Sequence, residues 1–310
     1  MKHNPYLKNL KTTVFDIETT GLYSYKDRVI SASFCDPSDG SLVQFFLNDP
    51  ADEKHIIEQT LDELAKYDAV ITYNGDRFDL PFILARAKKH GIADALPFFW
   101  AIDLYKWVKK YWPPAPMMES LSQKSVEDAL GLTARRTDEI GGGECIDLYA
   151  RWTQIGDESA KDKILLHNGD DVRQLGRIGH SLSSLPYHKI AFENGFMLKG
   201  DAPSLITKTV ISGSSLRLEG LTSPGKMPAD IYDDLFRYVY EFDTGRFSLD
   251  LRLTDGPGVK FIDLAALPLD SADFEPLAGY HSGFLILSKD GVPQYKEANR
   301  LTEAMLLKLI

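Results

Sequence analysis

Two carboxylates two residues apart are the first groups in this chain that could do chemistry: Asp16 and Glu18, in Thr13-Val14-Phe15-Asp16-Ile17-Glu18-Thr19-Thr20-Gly21-Leu22. Val14, Phe15 and Ile17 are strand formers and Gly21 punctuates the run, so the stretch reads as a short buried strand. Side chains alternate along a strand, which puts both acids on one face. Two like charges ~6 Å apart at an effective dielectric of ~20 repel by about 2 to 3 kcal/mol, so such a pair must be solvated, protonated or bound to a cation. Hard divalent ions such as Mg2+ and Mn2+ prefer oxygen ligands of this kind. Taken alone, Asp-x-Glu reads first as a solvated strand edge.

Two acids further along change that reading. Asp79 closes the loop Asn74-Gly75-Asp76-Arg77-Phe78-Asp79, behind a strand over Ala69 to Asn74. It sits at or near the N-cap of a helix predicted from Leu80 to about His90, with Pro81 in its first turn and Gly91 past its end. Asp171 falls on a long helix predicted from Ser159 to about Leu185, weakened in the middle by Gly169. His167 precedes Asp171 by four residues, so the two share one helical face. The adjacent Asp170 competes for the same role, but helical neighbours point about 100° apart and the spacing from His167 favours Asp171. Strand carboxylates, a helix-start aspartate and a helix-borne aspartate beside an imidazole compose a pocket for two metal ions.

Three blocks now stand in order: Phe15 to Leu22, Tyr73-Asn74-Gly75-Asp76-Arg77-Phe78-Asp79-Leu80-Pro81-Phe82, and His167-Asn168-Gly169-Asp170-Asp171-Val172. Together, over about Thr13 to Leu175, they resemble the DEDD 3′-5′ exonucleases of the ribonuclease H-like superfamily, in particular its bacterial branch of predicted ribonuclease H-like exonuclease domains. The resemblance implies an α/β fold, a mixed five-stranded sheet flanked by helices. It implies that Asp16, Glu18, Asp79 and Asp171 bind two Mg2+ or Mn2+ ions about 3.5 to 4 Å apart. It further implies hydrolysis of phosphodiester bonds at the 3′ end of single-stranded DNA or RNA, with Thr19, Gly21, Leu22, Asn74 and Phe78 near the substrate. Asn74 and Phe78 also have purely structural readings. His167 departs from the pattern: with this three-residue gap the family usually carries tyrosine, whereas its histidine branch has a gap of four. His167 is read as orienting or deprotonating the attacking water, against the alternative that it packs beside Asn168 and positions Asp171. A catalytically silent module that keeps the fold to bind nucleic acid or a protein is the rival from another class.

The rest of the chain must position these groups. At 310 residues, with 44% hydrophobic and 26% charged residues, it has material for two domains with cores. A net charge of -10 disfavours gripping duplex nucleic acid by phosphate neutralisation alone, although catalytic carboxylates add negative charge that bound metals offset. Cys35 and Cys145 are the only cysteines and form no CxxC pair, which argues against a disulfide scaffold or zinc ribbon and suits a cytoplasmic protein. No apolar run marks a leader or a membrane span, and none is expected.

Strands over Arg28 to Cys35 and Leu42 to Leu47, a helix over Ala51 to Tyr67, a strand near Phe98 to Ile102 and helices over Asp103 to Trp112, Ser120 to Leu130 and Cys145 to Trp152 complete an α/β domain over 1–188. In Lys106-Trp107-Val108-Lys109-Lys110-Tyr111-Trp112, lysines interleave with aromatics. This stretch is either one wall of a single-strand groove, with Lys106, Lys109 and Lys110 on phosphates, or an amphipathic helix with its aromatics in the core. Arg135-Arg136 is a weaker basic candidate. Beyond Pro186 the grammar changes to short apolar runs split by Gly, Pro and Asp, with a hairpin signal at Asp243-Thr244-Gly245-Arg246 and a terminal helix over Glu297 to Ile310. Residues 189–310 therefore read as a smaller β-rich accessory domain. Residues 190–310 carry 12 basic and 17 acidic residues, so the domain lacks a footprint for a polyanion, and covering the cleft, pairing chains or recruiting a protein partner stay open.

Overall fold

A computed structural model of the chain describes residues 3–137, 140–200, 202–222 and 229–309, with the Arg135 side chain outside the description. It divides into two compact units, Met1–Leu185 and Pro186–Ile310.

The first unit grows from β1 (Thr12–Thr19). This strand pairs antiparallel with β2 (Val29–Cys35), and β2 pairs antiparallel with β3 (Leu42–Phe46). On its other edge β1 runs parallel to β4 (Ala69–Thr72), which runs parallel to β5 (Trp100–Asp103), completing a mixed sheet of order β3-β2-β1-β4-β5. All residues of β2 and β4 are buried, which is why they read as near-continuous apolar runs. Phe15, Ile17, Ala32 and Phe34 share a core with Ile57 and Leu64 of α1 (Glu53–Leu64) and with Leu80 and Ile83 of α2 (Asp79–Lys89). Each of the larger of these side chains contributes about 1.5 to 3 kcal/mol by leaving water, which fixes the register of β1 and hence the direction of its acids.

The register sets the other face. Asp16 lies opposite Ser33 and Glu18 opposite Ser31, so two acids and two hydroxyls point the same way. After α3 (Leu104–Tyr111), α4 (Gln123–Ala129) and α5 (Gly142–Ile155), the 24-residue α6 (Glu158–Ser181) packs across β1 and β2. The helix continues through Gly169, where a Cβ would stand close to Leu42 Cδ1 (3.0 Å) and Gln44 Nε2 (3.2 Å) of β3. The long helix stops at Ser181 rather than near Leu185, because Leu182 leaves helical geometry (φ -79°, ψ 46°) and Pro186 follows.

The second unit opens with a helix that the sequence did not announce, α7 (Tyr187–Asn194). A six-stranded sheet follows: β6 (Phe196–Leu198), β7 (Ser204–Ser212), β8 (Ser215–Thr222), β9 (Ala229–Tyr232), β10 (Phe236–Glu241) and β11 (Arg246–Arg252), in the order β6-β7-β8-β11-β10-β9. The hairpin joining β10 to β11 turns at Gly245, whose φ of 64° favours glycine. A smaller sheet combines β12 (Thr254–Gly256), β13 (Val259–Asp263), β14 (Tyr280–His281), β15 (Phe284–Lys289) and β16 (Val292–Pro293). The terminal helix α8 (Tyr295–Leu309) buries Leu301, Met305 and Leu306. Among the described residues, no helix is long and apolar enough to cross a membrane.

Candidate active site

The acids of β1 meet the acid of α6. Carboxylate oxygens of Asp16, Glu18 and Asp171 lie within 4.8 Å of one another, and Glu18 forms a second group of the same tightness with Cys145 and His167. His167 Nε2 stands 3.5 Å from Glu18 Oε1 and 3.4 Å from Asp171 Oδ2, so the imidazole faces two carboxylates at once. Asp79 joins from α2: its Oδ1 accepts the Ile17 N–H at 3.1 Å, clamping the helix start to the strand between the two β1 acids. Asn168 fixes Asp16 by donating Nδ2–H to Oδ2 at 2.7 Å. The Asn168 Oδ1 in turn accepts from the hydroxyls of Ser31 (2.9 Å) and Ser33 (2.5 Å), and Gln44 Nε2 donates to Ser33 Oγ and to the Leu165 carbonyl, both at 2.8 Å.

Removal from water pushes the Asp16 carboxyl well above the usual range, helped by the charges of Asp79, Asp171 and Glu18 and opposed by Asn168. Burial raises Glu18 to about 8, with the Asp171 charge next. Asp79 rises to about 7, burial again leading, against the bond from Ile17 N–H. Such a site favours whatever lets these oxygens keep their charge, and an all-oxygen carboxylate set is the donor chemistry of Mg2+ or Mn2+. The residues present therefore fit divalent ions held by Asp16, Glu18 and Asp171 with Asp79 beside them.

Residues 13–183, over half of the 310, match the RNase H superfamily. The chain belongs to the RNase H superfamily. It is similar to the DNA polymerase of Methanocaldococcus jannaschii, 35% identical over 96 residues that make up 28% of this chain and 6% of that protein. It is also similar to the DNA polymerase of Thermococcus litoralis, 30% identical over 96 residues, 27% of this chain and 6% of that protein. The matched part thus spans about 6% of the length of these polymerases. Among solved structures, the family B DNA polymerase of Pyrobaculum calidifontis aligns with a TM-score of 0.44 and 21% identity, covering 59% of this chain and 27% of that one. NrnC of Brucella melitensis aligns with a TM-score of 0.36 and 16% identity, covering 58% and 77%.

Within this RNase H superfamily unit the remaining candidates take definite places. Asp79 is the first residue of α2 rather than its cap; the cap position is Phe78, which makes no side-chain cap bond. Phe78 packs against the core, 5.5 Å from the Phe82 ring. Asn74 adopts φ 63° and donates its N–H to Asp103 Oδ1 at 2.8 Å, so it turns the chain before α2. The Thr19 hydroxyl donates to the Gly21 carbonyl at 2.7 Å, while Leu22 is 75% exposed. Gly21 makes room: a Cβ there would meet Asp27 Oδ2 at 2.4 Å. Asp170 turns away from the acids, accepting from Thr137 N–H at 2.5 Å and Thr137 Oγ at 2.7 Å.

On α3, Trp107 is buried, as is Trp112 just past its end, so both belong to the core and offer no stacking surface. Lys106, Lys109 and Lys110 face solvent, Lys106 pairing with Asp76. Arg136 has a role that its pairing with Arg135 did not suggest: Nη2 lies 2.6 Å from Asp171 Oδ1 and 2.8 Å from Glu127 Oε1, and Nε donates to Glu127 Oε2 at 3.1 Å. Asn168, Ser31, Ser33 and Cys145 are the site residues that sequence reasoning passed over as chemistry, and Arg136 was read only as a weaker basic candidate for substrate contact. The Ser-x-Ser spacing opposite Asp-x-Glu was the one signal available, and it needs the strand pairing to be read.

Proposed function

We propose that the first unit is a divalent-metal-dependent 3′-5′ exonuclease acting on single-stranded nucleic acid. The observation that carries this reading is the convergence of Asp16, Glu18 and Asp171, with Asp79 beside them, in a chain of the RNase H superfamily. The stretch shared with DNA polymerases supports a nucleic-acid strand as the substrate. Bound to these oxygens, two divalent ions would supply Lewis acidity and charge neutralisation for phosphodiester hydrolysis.

The chain's own residues do the rest. Asp16 is held in one orientation by Asn168, and Asp79 by the Ile17 N–H, so their oxygens are placed before any ligand arrives. His167 presents Nε2 to the pocket between Glu18 and Asp171 and takes the proton of the attacking water there, while the new bond to phosphorus forms and the bond to the 3′ oxygen breaks. The helix-to-strand placement also protects the acid cluster from bulk water on the side of α6, where Asn168 is fully buried.

A 5′-labelled single strand of DNA or RNA incubated with Mg2+ or Mn2+ should shorten stepwise from its 3′ end, and Asp16→Asn should abolish the ladder. No shortening on either polymer, under conditions where the metal binds, would reject the exonuclease and leave a silent module.

A further inference from the structure

The turn after β1 carries features that the metal-site reading leaves unused. Leu22, Tyr23 and Tyr25 are 75%, 55% and 72% exposed, although large apolar side chains ordinarily leave water. The rings of Tyr23 and Tyr25 have centroids 5.8 Å apart and are tilted by 46° to each other, and Lys26 Nζ stands 4.8 Å over the Tyr23 ring. The turn holding them is closed on itself. The N–H groups of Lys26 and Asp27 donate to the Tyr23 carbonyl at 3.0 and 2.8 Å, and the Tyr23 N–H donates to Asp27 Oδ2 at 2.9 Å. The missing side chain at Gly21 admits that carboxylate.

The turn is also bolted from below. Arg86, 2% exposed, donates Nη1–H to the Ser24 carbonyl at 2.8 Å while its Nε donates to Glu53 Oε1 at 2.8 Å, and Lys89 Nζ donates to the Tyr25 carbonyl at 3.1 Å. A buried ion pair spent on mounting an exposed loop pre-organises whatever that loop presents. In a chain of net charge -10 the exposed cations here are Lys26, Arg28 and Lys89, while Arg86 is offset by Glu53. Asp27 and Glu53, the acids bonded into the same mount, are engaged with the Tyr23 N–H and with Arg86.

We propose that Tyr23 and Tyr25 are a stacking platform for the bases of a single strand, with Lys26 and Lys89 meeting its phosphates. Rings supply sequence-tolerant stacking and the cations track the backbone, which is the chemistry that recognises single strands. Tyr23 follows Glu18 by five residues, a span of at most about 18 Å, so the platform serves the first few nucleotides behind a 3′ end lying in the acid cluster. That last step rests on the exonuclease reading; the binding itself does not.

The test uses the full chain, a fluorescein-labelled ten-nucleotide oligothymidylate in EDTA so that no cleavage intervenes, and fluorescence anisotropy. Tyr23→Ala/Tyr25→Ala should raise Kd by roughly five- to 150-fold per lost stack. Tyr23→Phe/Tyr25→Phe should bind within about twofold of the original, since the ring and not the hydroxyl stacks. Circular dichroism and Mn2+ titration of each variant show that the fold and the acid cluster persist. Failure of the original chain to bind the oligonucleotide, equal Kd for the alanine variant, or an equal loss in the phenylalanine variant overturns the platform. Weakened binding by the alanine variant in a chain that shortens no strand keeps the platform and rejects the exonuclease.

Discussion

Stripping the protein of divalent ions and raising the pH from about 5 to about 8 should destabilise the first unit, against the common expectation that neutral pH is the more stable side. Burial and mutual charge hold Glu18 at about 8 and Asp79 at about 7, against ordinary values of 4.5 and 3.8. The folded chain thus keeps protons that the unfolded chain has released, and where the folded state binds more protons, stability falls as pH rises. The contribution is complete below the unfolded values, near pH 4, and is lost progressively as pH climbs through about 7 to 8. At about 1.4 kcal/mol per pH unit per proton, Glu18 alone accounts for on the order of 4 kcal/mol between pH 5 and pH 8. Asp16, Glu18 and Asp79 share their charges, so they release protons as a group and their contributions do not simply add. In a unit of this size the loss should lower its midpoint by about 10 °C. Thermal unfolding by circular dichroism in EDTA at constant ionic strength reads it directly. Saturating Mg2+ or Mn2+ should reverse the fall, and Glu18→Gln should make it shallower. A metal-free midpoint that stays level or rises over this interval would refute the electrostatic account of the cluster.

Arg136→Gln should show opposite signs in two assays: Glu127, left buried without its cation, destabilises the fold by about 3 to 5 kcal/mol, while Mn2+ affinity, followed by electron paramagnetic resonance, tightens because a positive charge 2.6 Å from Asp171 is gone. Weaker Mn2+ binding would show that the guanidinium orients Asp171 instead of competing for it. His167→Ala should cut turnover by about 100- to 10,000-fold with a far smaller change in metal affinity, and unchanged turnover removes it from the proton path. Asn168→Ala leaves Asp16 Oδ2 and two serine hydroxyls without their shared partner, so it should cost about 1 to 3 kcal/mol in urea unfolding. It should also weaken metal binding by about 10- to 100-fold, and wild-type affinity would show that Asp16 needs no support.

How much of this was legible in the sequence depends on whether a feature is local. Asp16 and Glu18 share a face because strands alternate, and His167 and Asp171 share one because helices repeat; both follow from spacing inside one element. The mixed sheet was legible at one remove, through the resemblance that three ordered blocks carry. Arg136 was not legible: its meaning lies in Asp171 and Glu127, far from it in the sequence or on another element, while the next residue, Thr137, is bonded to Asp170 beside Asp171. The lysine and tryptophan stretch on α3 was ambiguous for the opposite reason: its period fits a groove wall and a core helix, and burial of Trp107 places that ring in the core while the lysines stay on the surface. Ser31 and Ser33 are the instructive middle case. Their spacing copies that of Asp16 and Glu18, and once β1 and β2 are paired antiparallel with Asp16 opposite Ser33, both hydroxyls must face the helix that brings Asn168. A small polar pair at strand spacing beside an acidic pair at the same spacing therefore encodes a hydrogen-bonded seat for a third element, and the register converts it from two ordinary serines into part of the site.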